Sequence, residues 1–269
     1  SMLEFPIRGR SVKPRQQGLT MVIDKGLGPR QTADLLDIAA AHIDLMKFGF
    51  GTAMVYPPAV LAEKAQAIKA AGVDVYPGGT LLELAVYQAK VAEFFGWCRT
   101  VGFTFVEVSD GTIDIPRPLR RDLIARAKDM GFGVISEVGK KDPSRQLGAA
   151  QMADSVYEDL QAGAWKVIVE ARDAGHSVGV FDDAGRLREH FFDDLLQQLS
   201  DVDDVIWEAP RVDQQRALLL RLGPNASFGN VQPEDVISVE AMRVGRRNDT
   251  LRPYIEARPL NKEGIHQTI

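Results

Sequence analysis

Short apolar runs alternate with longer segments of helical periodicity along most of the chain. A short apolar run bounded by Gly, Pro or Asp is typical of a buried strand, and apolar residues at every third or fourth position are typical of an amphipathic helix. The predicted strands are residues 19–23, 44–48, 73–76, 103–108, 134–138, 165–170, 205–208 and 227–231. The predicted helices that follow them are residues 30–43, 57–71, 81–95, 117–130, 149–162, 187–199, 214–222 and 238–244.

This alternation predicts the α/β class and one closed (β/α)₈ TIM barrel, with residues 1–269 as a single domain. No linker or change of composition interrupts the units. Residues 1–17 lack periodicity, so we expect an N-terminal arm lying over the barrel, and we expect residues 251–269 to form a C-terminal tail. The glycine-rich stretches do not have the G-x-G-x-x-G spacing after the first strand, which argues against a dinucleotide-binding fold.

The composition limits the possible partners. The chain has 269 residues, of which 45% are hydrophobic and 26% charged, as is usual for a globular protein. A net charge of −5 without a basic block argues against a nucleic-acid partner, and anionic ligands would need a locally positive pocket. Cys98 is the single cysteine, which indicates a buried thiol in a reducing compartment. No apolar run approaches the ~18 residues of a membrane span, and no signal peptide is recognisable, so we expect no membrane partner and a cytoplasmic location.

Charged residues stand at the ends of several predicted strands. The carboxyl ends of all strands in a barrel lie on one face, where barrel enzymes have their active sites. Glutamates end four of the predicted strands, and they are therefore expected to converge: Glu107, Glu137, Glu170 and Glu208. The other polar groups expected on this face are Asp24, Lys25, Lys47, Gly78, Gly79, Thr80, Ser109, Asp110, Lys140, Lys141, Arg172 and Asn230.

Three of these glutamates form a candidate metal site. Oxygen ligands donated singly by neighbouring strands are what Mg²⁺ uses when it retains some of its waters. We therefore predict Mg²⁺ as a cofactor, bound by Glu107, Glu137 and Glu170. In the alternative interpretation these glutamates belong to a charge network with Lys47, Lys140 and Arg172.

Other polar groups are candidates for binding an anion or moving a proton. Gly78, Gly79 and Thr80 precede a predicted helix, whose first N–H groups can receive a phosphate, although a simple tight turn explains them equally well. Lys140 or Lys141, set among carboxylates and partly desolvated, is a candidate for exchanging a proton with a substrate carbon.

Two arginines and one histidine are weaker candidates. Arg243 and Arg247 follow the last strand, where barrels often bind phosphate, but arginine is also favoured near the C-terminus of a helix. His176 lies in the sixth loop as a possible lid contact, whereas His42 and His190 lie in predicted helices and are expected at the surface.

Several short motifs together resemble the phosphosulfolactate synthase family. They are residues 18–26 (GLTMVIDKG), 47–49 (KFG), 78–81 (GGTL), 107–111 (EVSDG), 137–141 (EVGKK), 170–172 (EAR), 208–210 (EAP) and 229–231 (GNV). Each motif is short, but their number and order make the resemblance specific, and it extends from about residue 13 to residue 252.

The resemblance implies a Mg²⁺-dependent barrel lyase that adds sulfite to phosphoenolpyruvate, giving (2R)-phospho-3-sulfolactate, the first step towards coenzyme M in methanogens. Negative charge would grow on the substrate carboxylate, where a divalent cation stabilises it, and a proton must then reach the phosphate-bearing carbon. Lys140 is the expected general acid, with Lys141 as the alternate and Lys25 as a further catalytic lysine. The expected substrate-binding residues are Lys47, Gly78, Gly79, Thr80, Ser109, Arg172, Asn230, Arg243 and Arg247.

Family resemblance leaves more than one function open. The family is similar also to bacterial proteins of sulfolactate metabolism and to plant heat-stress proteins. One alternative is therefore a lyase that adds another nucleophile to phosphoenolpyruvate or to a related enol phosphate. The other is a non-catalytic, stress-related protein. For the enzyme we expect small anionic substrates as partners and assembly as a homo-oligomer.

Overall fold

The computed structural model describes residues 4–171 and 178–257, without the side chain of Pro143. Within these ranges eight parallel strands alternate with helices and form one sheet, in the order β3-β2-β1-β8-β7-β6-β5-β4. Its two ends meet where Thr104 N donates to Val75 O at 3.0 Å and Val75 N donates to Thr104 Oγ1 at 2.9 Å. The predicted (β/α)₈ barrel is confirmed.

The strands are β1 Thr20–Asp24, β2 Leu45–Phe48, β3 Asp74–Pro77, β4 Phe105–Ser109, β5 Gly133–Val138, β6 Lys166–Val169, β7 Val205–Glu208 and β8 Phe228–Val231. The α-helices are α1 Pro29–Ala39, α2 Pro58–Ala70, α3 Thr80–Tyr87, α4 Val91–Val101, α5 Arg117–Asp129, α6 Ala149–Ala162, α7 Glu189–Gln198, α8 Val212–Leu222, α9 Val236–Arg243 and α10 Asn248–Ala257. In the described ranges no helix is both long and apolar enough to cross a membrane.

Two regions differ from the predicted elements. The helix expected at residues 81–95 is divided into α3 and α4, because Ala89 adopts a left-handed φ of 56° between them. Part of the expected C-terminal tail is helical, since α10 continues to Ala257. The remainder of that tail, residues 258–269, lies outside the described residues.

The barrel interior has an apolar layer beneath a charged one. The apolar layer contains Met21, Leu45, Tyr76, Ile135, Ile168 and Ile206. Side chains two residues apart on a strand point to the same side, so the residue two positions after an inward apolar residue also points inward, one layer higher. Lys47 therefore points inward one layer above Leu45 on β2, and Glu137 points inward one layer above Ile135 on β5. The alternation therefore places charges inside the barrel at its carboxyl end.

At the opposite end of the barrel, Arg243 supports the start of two strands. Its guanidinium donates to Ala226 O at 2.6 Å, to Pro224 O at 2.8 Å and to Leu19 O at 3.2 Å. Arg243 is 1% exposed. Because Leu19 and Ala226 precede β1 and β8, Arg243 lies at the amino ends of the strands and does not reach the rim expected from the sequence.

A buried ion pair holds the loop between β1 and α1. Lys64 Nζ lies 2.6 Å from Asp24 Oδ2 and 3.0 Å from the hydroxyl of Tyr56, and neither charged side chain is exposed. Asp24 Oδ1 accepts from the backbone N–H groups of Gly26 and Leu27, each at 2.8 Å. Asp24 was expected on the catalytic face, but its carboxylate is occupied by these contacts.

We predict that Lys64→Met lowers the free energy of unfolding by about 3 kcal/mol, because it leaves the buried Asp24 carboxylate without its cation. Lys69→Met is the matched control: Lys69 lies in the same helix but is exposed, so its effect should stay within about 0.5 kcal/mol. Urea denaturation measures both variants. Equal stability of the two would contradict a structural role for the Asp24–Lys64 pair.

Candidate active site

A cavity of about 550 Å³ opens at the carboxyl ends of the strands. Strand ends contribute the charged part of its wall, and the loops after β2, β3, β4 and β5 contribute the remainder. The lining residues are Ile23, Lys47, Gly49, Phe50, Gly51, Gly78, Gly79, Thr80, Glu107, Thr112, Glu137, Lys141, Glu170, Glu208 and Asn230. The sequence therefore correctly indicated that distant carboxylates and lysines meet at one end of the barrel.

Lys47 lies at the centre of the charged layer. Its ammonium is 3.1 Å from Glu107 Oε2, 3.4 Å from Glu137 Oε2 and 3.5 Å from Glu208 Oε1. Burial lowers the pKa of Lys47, but the three carboxylates outweigh burial and leave the pKa well above its ordinary value. Lys47 is therefore held as a cation among these carboxylates at neutral pH.

Glu107 is held from the opposite side by the loop after β3. The backbone N–H of Gly79 donates to Glu107 Oε1 at 2.7 Å. A Cβ atom at position 79 would lie 2.4 Å from Ser109 Oγ and 2.9 Å from Glu107 Oε1, so a close approach of this kind requires glycine. Burial raises the pKa of Glu107 to about 7 in spite of Lys47. Both oxygens of Glu107 thus have protein partners.

The other three glutamates form a compact group. Glu137, Glu170 and Glu208 each offer one carboxylate oxygen, and these oxygens lie within 4.8 Å of one another. Glu208 is oriented by Asn230 Nδ2, which donates to Oε1 at 2.6 Å, and by Ala171 N, which donates to Oε2 at 2.9 Å. A group of buried carboxylates at this spacing is suited to a cation with oxygen ligands.

Glu137 and Glu170 respond differently to this crowding. Burial opposes ionisation of Glu137, but the ammonium groups of Lys141 and Lys47 outweigh it and lower the pKa to about 2. Burial together with the negative charges of Glu137 and Glu208 raises the pKa of Glu170 well above its ordinary value. In the absence of a cation, Glu170 therefore tends to retain a proton while Glu137 is ionised.

The ionised cavity carries an excess of negative charge. If all four glutamates among the described residues that line it are ionised, they outnumber the two lysines there by two negative charges. Buried charges without a counter-charge are costly. One divalent cation would remove this excess, and the carboxylate oxygens present are the ligands that such a cation prefers.

Lys141 enters the cavity from the loop after β5. Its ammonium lies 3.8 Å from Glu137 Oε1, 3.9 Å from Glu170 Oε2 and 3.4 Å from Thr80 Oγ1. The negative charge of Glu137 raises the pKa of Lys141 in spite of partial burial. The side chain is 37% exposed, so this protonated amine lies between the carboxylates and the solvent.

Comparison with known proteins identifies the family. The family model for (2R)-phospho-3-sulfolactate synthase (ComA) matches residues 8–249. A phosphosulfolactate synthase of Methanothermobacter thermautotrophicus is 43% identical over 250 residues, covering 92% of this chain and 96% of that protein. The chain belongs to the phosphosulfolactate synthase family. The prediction that it is an enzyme is thereby confirmed.

Other relatives bear the same name as the family. A phosphosulfolactate synthase of Methanocaldococcus jannaschii is 43% identical over 87% of this chain and 94% of the relative. One from Bacillus subtilis is 36% identical over 92% of this chain and 97% of the relative. Among solved structures, the YdjI aldolase of Escherichia coli has a TM-score of 0.53 at 13% identity, covering 92% of this chain and 93% of its own. That last likeness concerns the fold alone.

In this phosphosulfolactate synthase family member, the two adjacent lysines after β5 point in different directions. The ammonium of Lys140 lies 2.7 Å from Asp110 Oδ2 and 3.3 Å from Asp114 Oδ1, and Lys140 is not among the residues that line the cavity. Lys141 does line it. The geometry therefore favours Lys141, the alternate of the sequence analysis, for contact with a substrate.

Other expected site residues lie elsewhere. Lys25 is exposed beyond β1 and does not line the cavity. The hydroxyl of Ser109 donates to the buried carboxylate of Glu83 at 2.6 Å. Arg247 is only partly buried, lies 2.7 Å from Asp249 and contacts Ser238. Arg172 and His176 lie outside the described residues.

Of the two histidines expected at the surface, one is exposed and the other is partly buried. His190 is exposed on α7. His42 is partly buried at the amino end of the barrel, with Nδ1 3.9 Å from Glu240 Oε2. Burial lowers the pKa of His42 in spite of this carboxylate. Neither histidine lines the cavity, so neither is a candidate for the chemistry there.

The structure adds features that the sequence analysis missed. Glu208 was recognised at a strand end but not assigned to the metal, although Ile206 and Glu208 have the same two-residue spacing as Ile135 and Glu137. Asn230 has a φ of 56° inside β8, and its buried Oδ1 accepts no hydrogen bond from any described residue. A strained residue with an unsatisfied acceptor at a cavity wall is typical of a functional site.

Proposed function

We propose that this chain catalyses the Mg²⁺-dependent addition of sulfite to phosphoenolpyruvate, giving (2R)-phospho-3-sulfolactate. The observation that carries the proposal is the group of three buried carboxylates of Glu137, Glu170 and Glu208 at the rim cavity, beside the protonated Lys141. Relatives named phosphosulfolactate synthase support the product. The cavity supplies what the addition needs, namely a place for a divalent cation and a cation able to give up a proton.

The donor set fits Mg²⁺. Glu137, Glu170 and Glu208 would hold the ion, and the unsatisfied Oδ1 of Asn230 is a further oxygen at the same wall. Glu107 is less suited than the sequence indicated, because the described carboxylates whose oxygens lie within 4.8 Å of one another are those of Glu137, Glu170 and Glu208, without Glu107. When bound, Mg²⁺ acts as a Lewis acid that stabilises negative charge developing on a substrate carboxylate.

Lys141 is the proposed general acid. Sulfite forms a carbon–sulfur bond to the terminal CH₂ of phosphoenolpyruvate, and the electron pair of the double bond moves towards the carbon that bears the phosphate. Lys141 then donates a proton to that carbon. Its raised pKa keeps it protonated at neutral pH, and its partial exposure allows solvent to return the proton afterwards.

Other residues of the chain would bind and orient the anions. The hydroxyl of Thr80 stands at the start of α3 beside Lys141, which suits an oxyanion. Gly79 acts indirectly in this proposal, because its N–H is already donated to Glu107. Gly78 stays in the proposed set as part of the cavity wall. Lys25 and Arg172 stay in the set on the resemblance of the sequence motifs.

Location and assembly are part of the proposal. Small anionic substrates and the buried free thiol of Cys98 accord with a reducing cytoplasm. A homo-oligomer remains a prediction that sedimentation of the purified protein measures.

The direct test mixes the protein with phosphoenolpyruvate, sulfite and Mg²⁺ and follows the loss of the enol absorbance. We expect loss only when all components are present, and no loss after addition of a chelator, because the substrate carboxylate then lacks the cation that stabilises its developing negative charge. Consumption of phosphoenolpyruvate without sulfite, in the presence of another nucleophile, would contradict the proposal and indicate a different lyase. Failure to bind phosphoenolpyruvate would indicate a non-catalytic protein.

We predict that Lys141→Ala lowers kcat by about 10²- to 10⁴-fold, the usual contribution of a general acid. Lys90→Ala is the control, because Lys90, directly before α4, is exposed and does not line the cavity. Steady-state kinetics with both substrates saturating measure the effect. Activity of Lys141→Ala equal to that of Lys90→Ala would remove Lys141 from the mechanism.

A further inference from the structure

Lys140 makes an unusually complete set of contacts for a lysine in a loop. Its ammonium donates to the Asp110 side chain at 2.7 Å and to the Asp110 backbone carbonyl at 2.8 Å, and its side chain is 14% exposed. The second oxygen of Asp110 accepts from Arg120 at 3.2 Å. Asp110, the first residue after β4, is therefore held by two cations from different elements.

Arg120 connects this pair to the body of the barrel. It is 7% exposed, and its Nε donates to Asp159 Oδ1 of α6 at 2.9 Å. Its NH2 group donates to the backbone carbonyl of Glu137 at 2.9 Å. Arg120 thus joins α5, α6 and the end of β5, and it gives Asp110 a rigid support.

The segment after Asp110 is fixed at its other end as well. The backbone N–H groups of Thr112 and Ile113 both donate to Glu83 Oε2 at 2.8 Å, and Glu83 is 1% exposed. Residues 110–113 are therefore tied to β5 and its loop at one end and to α3 at the other.

The side chain of Lys141 packs against the middle of this segment. A Cβ atom on Gly111 would lie 3.1 Å from Lys141 Cε, 3.2 Å from Cγ and 3.3 Å from Cδ. The backbone N–H of Lys141 also donates to Gly111 O at 3.3 Å. The backbone of Gly111 is thus a surface along which the whole aliphatic part of Lys141 extends towards the carboxylates.

We propose that Lys140 is a positioning residue, which through Asp110 holds Gly111 against Lys141 and so fixes the position of the Lys141 ammonium. This inference rests on the proposed function, in which Lys141 is the proton donor. It replaces the role that the sequence suggested for Lys140, since the ammonium of Lys140 acts on Asp110 and not on the substrate. The adjacent lysines then have complementary tasks.

A double-mutant cycle tests the connection between Lys140 and Asp110. Lys140→Ala and Asp110→Asn should each lower kcat roughly ten- to hundredfold, the usual cost of a misplaced catalytic group, with the KM for phosphoenolpyruvate within about twofold. Since both changes break the same contact between Lys140 and Asp110, the double variant should lose clearly less than the product of the two single losses. Lys140→Arg should recover most of the activity, and Lys90→Ala should retain all of it.

Three kinetic results would overturn the inference. One is a loss in the double variant equal to the product of the single losses. Another is a loss of activity in Lys140→Ala as complete as in Lys141→Ala while Asp110→Asn stays active, which would make Lys140 itself the acid. Unchanged kcat in Lys140→Ala would overturn it too. Should Lys140→Ala fail to fold, Asp110→Asn and Lys140→Arg carry the same comparison.

Glycine substitutions test the packing of Lys141 directly. Gly111→Ala should lower kcat at least about tenfold, because the new methyl group displaces the side chain of Lys141 while Lys140 and Asp110 remain. Gly96→Ala is the matched control, since no atom lies within 4 Å of its added Cβ. Full activity of Gly111→Ala would contradict the role of this contact.

Hydrogen exchange supplies a readout that needs no substrate. We expect the backbone amides of residues 110–113 to exchange at least about fivefold faster in Lys140→Ala than in the unsubstituted protein. Exchange unchanged by Lys140→Ala would overturn the inference. This measurement requires no turnover. If the unsubstituted protein did not add sulfite, the proposed function would be refuted, but hydrogen exchange would still test the contact between Lys140 and Asp110.

Discussion

The charged layer around the Lys47 ammonium is the constraint on which the catalytic end of this barrel depends. Several glutamates are buried together there: Lys47 is paired with Glu107, Glu137 and Glu208, and Asn230 donates to Glu208. Burying carboxylates is expensive unless each is paired or hydrogen-bonded. Gly79, Asn230 and Lys47 offset part of this cost, and in the proposed function a divalent cation offsets the rest.

The barrel makes such a layer possible. Parallel strands that are staggered around the barrel point apolar residues inward in one layer and charged residues inward in the next, so an apolar floor lies beneath the charges. This floor excludes water from below, which strengthens the electrostatic interactions above it. The loops then decide which groups face the cavity, and they separate Lys141, which faces it, from Lys140, which supports the loop.

Much of this arrangement was predictable from the sequence, because it depends on local patterns. Apolar runs ending in glutamate indicate strand ends, and parallel strands bring their ends together. The same pattern predicted that Glu208 stands at a strand end. It did not predict that Glu208 lies in one group with Glu137 and Glu170. Side-chain direction in loops was not predictable: nothing in the pair Lys140-Lys141 distinguishes the residue that meets Asp110 from the residue that meets Glu137. The sequence likewise did not show at which end of the barrel Arg243 lies, because a residue after the last strand can lie at either end.

The central claim is that Glu137, Glu170 and Glu208 hold one divalent cation, which balances the charge of the cavity. Calorimetric titration with Mg²⁺ tests it most directly, with Glu208→Gln compared to Glu107→Gln, since both remove one buried carboxylate. We expect one ion per chain, an affinity lowered at least about tenfold by Glu208→Gln and a clearly smaller effect of Glu107→Gln, because Glu107 is outside the group of three carboxylates. No Mg²⁺ binding by the unsubstituted protein, or equal losses in the two variants, would contradict the account.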